Sequence, residues 1–406
     1  MKSENNIVEG ALKVHKLTFW EAAMIIVGAN IGSGILGLAY SARKAGWPVL
    51  MLWLIIAGFF TTASMLYVAE TTLRTRKVMQ LPGLAKKYVG ELGAWLVFIS
   101  VAANTIGCLI AYTNGSGRIL SEMFGLSTQI GSLLFSVPAV FVVWFGLKAT
   151  GVAEKVISFG MMALLAVIIA ASFLSENSDL SNAIFTNWTY AIPVFNVAIF
   201  CYIAQYAVPE LARGLAHDQQ KLAPAIVTGM SLTMVLLALV PLAVLSLTGP
   251  ENVTQVATIA WGKALGEWAF FTANLFALAA MMTSYWAVAG SFLTNIVDKF
   301  NFKSEDDVKT RLFVLACVVI PPFILAYSGL VSFVDAIYLA GTFGGVIMSV
   351  LPVLMLRSAR ETGDMEPSWQ CGWIASVWVQ WSMIVLFCGA ALYAVLGLFG
   401  LLPAAW

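Results

Sequence analysis

The residues of this chain whose type and spacing could do chemistry are small and uncharged. The stretch FWEAAMIIVGANIGSGILGLAYSARKAG places Gly28, Gly32, Ser33, Gly34 and Gly37 within ten residues of an apolar run. Each glycine costs a helix about 1 kcal/mol relative to alanine, so the helix is expected to open there. In apolar surroundings an opened helix frees main-chain N–H and C=O groups, each costing several kcal/mol unless something partners them. A bound polar ligand is one such partner; the structural alternative is that the glycines let two helices pack closely. Gly32 to Gly37 also spells GxGxxG, but that fingerprint requires a preceding β-strand, and this stretch follows an apolar helical run.

A second interruption is expected in AIPVFNVAIFCYIAQYAVPELARGL, where Pro193 and Pro209 bracket Cys201, Tyr202, Ile203, Ala204 and Gln205. A third feature is the hydroxyl pair Thr283 and Ser284 in ANLFALAAMMTSYWAVAGSF, which either ligates a cation or bonds to the preceding helical turn. Asn104, Tyr112, Tyr202, Gln205 and Trp286 are the side chains able to line a cavity between these elements, or to pack between helices. Conventional catalytic groups are scarce. The two histidines, His15 and His217, lie in polar stretches, and the five cysteines are scattered without a CxxC pair, which leaves metal centres and hydrolase triads without ligands or a base.

The elements that must position these residues are membrane helices. Of 406 residues, 60% are hydrophobic and 11% charged, a composition foreign to soluble domains. A hydrocarbon core about 30 Å thick takes roughly 20 apolar residues, and that window finds eleven segments, near 18–42, 48–72, 92–122, 130–147, 154–174, 191–213, 223–248, 266–298, 311–328, 331–356 and 373–402. The third and eighth exceed the minimum, which implies tilt or protrusion. Of the 22 Lys and Arg, Arg43, Lys44, Arg118 and Lys263 fall on one side and the remaining 18 on the other. Positive charge collects inside, so the amino terminus is expected in the cytoplasm and the carboxyl terminus outside a plasma membrane. The tail MKSENNIVEGALKVHK lacks the pattern of a cleaved signal. Trp20, Trp47, Trp95, Trp188, Trp268 and Trp373 stand near segment ends, as an interfacial belt would. Segments 2, 3 and 5 recur as segments 7, 8 and 10 at an offset of about 175 residues. With five spans per repeat, the second set enters from the opposite side. The expected division is a tail, 1–17; a first repeat, 18–175; an inverted second repeat, 190–357; and an eleventh span, 372–402.

GSGILGLAY followed by AGWP resembles the first helix of the amino acid/auxin permease family, including sodium-coupled neutral amino acid transporters, and is similar to that of bacterial aromatic amino acid permeases. The likeness extends through LPGLAKKYVGELG after segment 2 and PELAR at the end of segment 6. It implies an all-α membrane protein of leucine-transporter-like 5+5 inverted repeat with an eleventh helix, importing an amino acid by alternating access. Gly32, Ser33 and Gly34 would hold the substrate carboxylate on their amides. The amino group would meet carbonyls near Phe200, Cys201 and Ile203, with Tyr202, Gln205 and Asn104 beside them. By the same resemblance, Thr283 and Ser284 with carbonyls of Gly28, Ile31 and Ala280 would bind Na+ as coupling ion. This chain departs by carrying Gly28 where the neutral amino acid transporters have an asparagine. No organic cofactor is implied.

No Asp, Glu, Lys or Arg lies in the middle of a segment, so a substrate with a charged side chain would meet no countercharge, and a neutral, hydrophobic or aromatic zwitterion is expected. By the same resemblance the coupling alternative is a proton, with Lys155 at the start of segment 5 replacing the sodium; the plainer reading of Lys155 is a positive-inside anchor. A uniporter or channel is a further alternative, although pores usually carry symmetric rings of carbonyls or charges. An embedded enzyme lacks acid–base groups in the segments. A net charge of +1 offers nucleic acid no basic surface, and nothing indicates an obligate protein partner. The expected partners are the small-molecule substrate and the lipid bilayer.

Overall fold

The computed structural model describes residues 16–77, 79–145, 151–300, 302 and 307–402. Most of the tail, Lys148 and the side chain of Lys155 lie outside the described residues. Among the described residues the regular elements are helices. In order, the helices are α1 (Phe19–Asn30), α2 (Ser33–Ala42), α3 (Trp47–Leu73), α4 (Leu81–Phe124), α5 (Thr128–Phe145), α6 (Gly151–Leu174), α7 (Ala191–Phe200), α8 (Val208–Gly214), α9 (Leu222–Thr248), α10 (Ala257–Leu265), α11 (Glu267–Lys299), α12 (Val308–Tyr327), α13 (Phe333–Leu339), α14 (Val346–Thr362) and α15 (Val377–Leu398). Among the described residues nine helical stretches are long and apolar enough to cross a bilayer, and the bent pair α1/α2 makes a tenth. Met162–Leu174, within α6, is apolar but shorter. Each of the eleven segments expected from hydropathy thus coincides with a helix or an interrupted helix.

The third segment lies within a longer helix that is broken just before the segment begins. Leu81–Phe124 is two helices joined at Gly90, whose φ of 79° is open to glycine and strained for other residues. The part before the kink is the amphipathic LPGLAKKYV, and the part after it is the span. The eighth segment coincides with α11, and α10 precedes it as a separate short helix. Segment 10 is not a continuous α-helix: Ala340–Gly345 winds as a π-helical turn between α13 and α14.

Two packed groups organise the bundle. Helices α1, α2, α3, α7 and α9 pack on one another, and α4, α5, α11 and α12 form a second group. Segment 10 lies between them: α14 packs on both α3 and α4, and the π turn on both α4 and α7. Large side chains face outward on the peripheral helices, among them Leu312, Phe313, Ile320 and Ile324 on α12 and Trp378, Val385 and Leu392 on α15. Exposed apolar surface of this extent suits lipid and not water. Trp20, Trp95, Trp188, Trp268 and Trp373 are also exposed.

Buried charge concentrates where α3 meets the end of α14. Glu70 is fully buried and accepts from Arg360 Nε and Nη2, both at 2.9 Å, and from Arg74 Nε at 3.0 Å. The Cys371 amide donates to the same carboxylate at 2.8 Å, and Tyr67 donates its hydroxyl to the Ile374 carbonyl at 2.7 Å. A bidentate guanidinium with further donors is the geometry that offsets burial of a carboxylate. Asp364, just beyond α14, accepts from Lys87 Nζ and the Arg76 amide. Lys87 holds its carboxyl below the usual range.

Candidate functional site

α1 starts on a capping box, in which Thr18 Oγ1 accepts from the Glu21 amide at 3.3 Å and Glu21 Oε2 accepts from the Thr18 amide at 2.9 Å. It stops at Asn30. Ile31 (φ −88°, ψ 87°) and Gly32 (φ −135°, ψ −140°) leave helical geometry, α2 begins at Ser33, and the axes bend by 54°. No side chain caps α2. Among the described residues the amides of Gly32, Ser33, Gly34 and Ile35 find no acceptor, the set that a helix start leaves free. Across the break, the Ile31 amide donates to the Val27 carbonyl, while no main-chain donor reaches the carbonyls of Gly28 and Ile31.

The second interruption lies where it is expected. α7 ends at Phe200, residues 201–204 leave the helix, and a 3-10 turn over Gln205–Ala207 leads into α8. The two breaks face each other: a methyl placed on Gly34 would lie 2.7 Å from Cys201 Sγ and 3.0 Å from Phe200 Cδ1. Only a residue without a side chain permits this approach. A methyl on Gly32 would lie 3.8 Å from the Tyr112 hydroxyl of α4, which in turn faces Ser284 of α11. Segments 1, 3, 6 and 8 therefore converge at one place.

The other expected residues distribute around it. Tyr202 is fully buried, but its hydroxyl donates to the Leu54 carbonyl at 3.2 Å and its ring packs on Gly58, so it points into α3. Ile203 reaches toward Gly345, and Asn104 lies against Gly344, both in the π turn. Among the described residues, the fully buried Gln205 has neither its amide oxygen nor its nitrogen hydrogen-bonded, and Asn104 Oδ1 is likewise unpartnered. Such orphans cost about 1–3 kcal/mol each and mark polar positions awaiting a partner. In the cation set, Thr283 Oγ1 donates to the Ala280 carbonyl at 3.0 Å, the back-bonding alternative weighed from sequence. Gly28 is exposed and Ile31 buried. Free carbonyls at the end of α1 and hydroxyls on α11 are the oxygen donors that a hard cation takes, although α1 packs on α9 and not closely on α11. No three His, Cys, Asp or Glu side chains come together among the described residues.

An apolar cavity opens from Gly32 and Ser33. Its walls are Leu164, Leu165 and Ile168 of α6 and the face of α11 from Ala273 to Ser284, and its far end is Thr258 and Trp261 of α10. None of the residues on α6 or α10 was expected from sequence. α10 is nine residues long, too short to register as a span, and hydropathy gives α6 no facing partner. The only trace is a tryptophan and a threonine inside ATIAWGKAL.

Two helices interrupted within the bundle and opposed at their breaks define a transporter of the leucine-transporter type. The crystal structure of MhsT in complex with L-phenylalanine superposes with a TM-score of 0.61, covering 96% of this chain and 100% of that one at 15% identity. Within that class the chain belongs to the tryptophan/tyrosine permease family, whose model matches residues 15–388. It is 26% identical over 375 residues to the tryptophan-specific transport protein of Haemophilus influenzae, covering 84% of this chain and 87% of that protein. It is 22% identical over 372 residues to tyrosine-specific transport system 2 of the same organism, covering 85% and 89%. The superfamily read from the first helix stands, and the family matched is that of aromatic permeases, not specifically the sodium-coupled neutral transporters. Family and fold are those of multi-pass membrane transporters, not enzymes.

Proposed function

We propose that this protein imports an aromatic amino acid, with tryptophan and tyrosine the leading candidates, by alternating access coupled to sodium. The observation that carries this is the opposition of the two breaks. The free amides of Gly32, Ser33, Gly34 and Ile35, at the positive end of α2, suit a carboxylate. The unwound carbonyls around Phe200, Cys201 and Ile203 suit an ammonium group a few ångströms away. The absence of charged side chains around this point among the described residues favours a neutral zwitterion, and the names of the Haemophilus relatives favour an aromatic one. Sodium, as co-substrate, would take the Gly28 and Ile31 carbonyls with Ala280, Thr283 and Ser284.

Two repeats, 18–175 and 190–357, fit the matching positions of the interrupted helices. The two packed groups supply a bundle, α1, α2, α3, α7 and α9, that can rock against α4, α5, α11 and α12. The Lys and Arg distribution supports a cytoplasmic amino terminus. The test is uptake of radiolabelled tryptophan, tyrosine and phenylalanine into proteoliposomes under imposed sodium, proton or no gradient. Concentrative uptake driven by sodium alone is expected. Uptake that only equilibrates, or that follows the proton gradient, overturns the coupling, and no uptake of any of the three overturns the substrate class.

A further inference from the structure

The cavity beyond Gly32 holds a feature that carboxylate binding does not use. Its walls are almost wholly apolar, yet Thr258 Oγ1 at the far end is buried and has no hydrogen-bond partner among the described residues. Ser33 Oγ at the near end is in the same condition. An unpaired hydroxyl in apolar surroundings is expensive to keep, so a partner is expected there when the cavity is filled.

The far end is rigidly built. Trp261 is fully buried, its Nε1 donating to Ser172 Oγ at 2.6 Å, and Ser172 donates to the Ile168 carbonyl at 2.7 Å. The corner between α10 and α11 is closed by Gly262, where a methyl would lie 2.6 Å from Phe270 Cα, and by Asn274, whose Nδ2 bonds the Phe270 carbonyl at 2.8 Å. Thr258 is thus held in place and does not sit on a mobile loop. From Ser284 to Ala273, α11 rises roughly 16 Å, and the cavity runs along this face from the break toward Thr258.

Resting on the aromatic-substrate proposal above, we infer that this cavity is the side-chain subsite and that the Thr258 hydroxyl accepts the hydrogen-bond donor of the substrate ring, an indole N–H or a phenol O–H. A site with a buried hydroxyl binds the ring that pairs with it and discriminates against the ring that leaves it unpaired. Thr258 is then a specificity determinant that separates tryptophan and tyrosine from phenylalanine.

The experiment is equilibrium binding of the three amino acids to purified full-length protein and to Thr258→Val, Thr258→Ser and Ala277→Phe. The near-isosteric Thr258→Val should lose about tenfold for tryptophan and tyrosine, the factor for one net hydrogen bond, and leave phenylalanine within about twofold. Thr258→Ser should keep the discrimination, and Ala277→Phe, which fills the cavity, should abolish binding of all three. Equal losses for all three ligands in Thr258→Val, or no loss, overturn the role of the hydroxyl. Unimpaired binding by Ala277→Phe overturns the subsite. Unmodified protein that binds none of the three refutes the aromatic-substrate proposal itself, an outcome distinct from either.

Discussion

Replacing Gly34 by alanine tests whether the meeting of the two breaks is the working site. The added methyl would stand 2.7 Å from Cys201 Sγ and 3.0 Å from Phe200 Cδ1, whereas unstrained contacts sit at about 3.5–4.0 Å. On its main-chain side Phe200 lies against Gly341 of the π turn. Overpacking of this kind costs about 1–3 kcal/mol. If substrate is held with the breaks in this arrangement, binding should weaken by about five- to 150-fold. The same methyl in a Cys201→Ala background meets no sulfur, so most of the loss should be recovered, and a double-mutant cycle should give a coupling of about 0.5–3 kcal/mol. The assay is equilibrium binding of radiolabelled tryptophan to purified protein. Tight binding by Gly34→Ala, or an equal loss with and without Cys201, would refute the reasoning.

Thr283→Ala combined with Ser284→Ala should weaken the sodium dependence of substrate binding at least tenfold. Unchanged dependence would leave Thr283 with only its bond to the Ala280 carbonyl. Glu70→Gln should leave Arg74 and Arg360 without a counter-charge. The penalty falls below the roughly 3–5 kcal/mol of a wholly buried pair, because the Arg360 side chain is 36% exposed. Its readout is Cys371, whose thiol is buried, donates to the Leu66 carbonyl at 3.3 Å and is pushed up in pKa by burial. Maleimide labelling of that thiol should be slow in the unmodified protein and at least tenfold faster in Glu70→Gln, and equal rates would dismiss the clamp.

The break in α1/α2 was legible because four glycines in an apolar run have a local cost that no partner is needed to compute. That of segment 6 was legible only by its flanks: residues 201–204 contain neither glycine nor proline, and Pro193 and Pro209 sit inside the helices on either side. The π turn left its mark as Gly341, Gly344 and Gly345, yet nothing in their spacing distinguishes a widened turn from close packing. Glu70 and Arg360 each read as an ordinary charge near a segment end. Their pairing joins residues 290 positions apart, and without a buried surface in view no periodicity links them. Thr258 escaped notice for the same reason, since its hydroxyl matters only through what surrounds it.

The Glu70 cluster fastens the α14 end of segment 10 to α3, while Ser100 Oγ, donating to the Gly344 carbonyl at 2.6 Å, fastens its middle to α4. One rod is therefore bolted to two bodies. Any swing of one body against the other must be taken up between the bolts, and the stretch available for that begins at Gly344 and Gly345, where the ladder is already loosened. The π turn is placed where a flexure belongs, so stiffening it should slow the exchange of faces without touching the ligand.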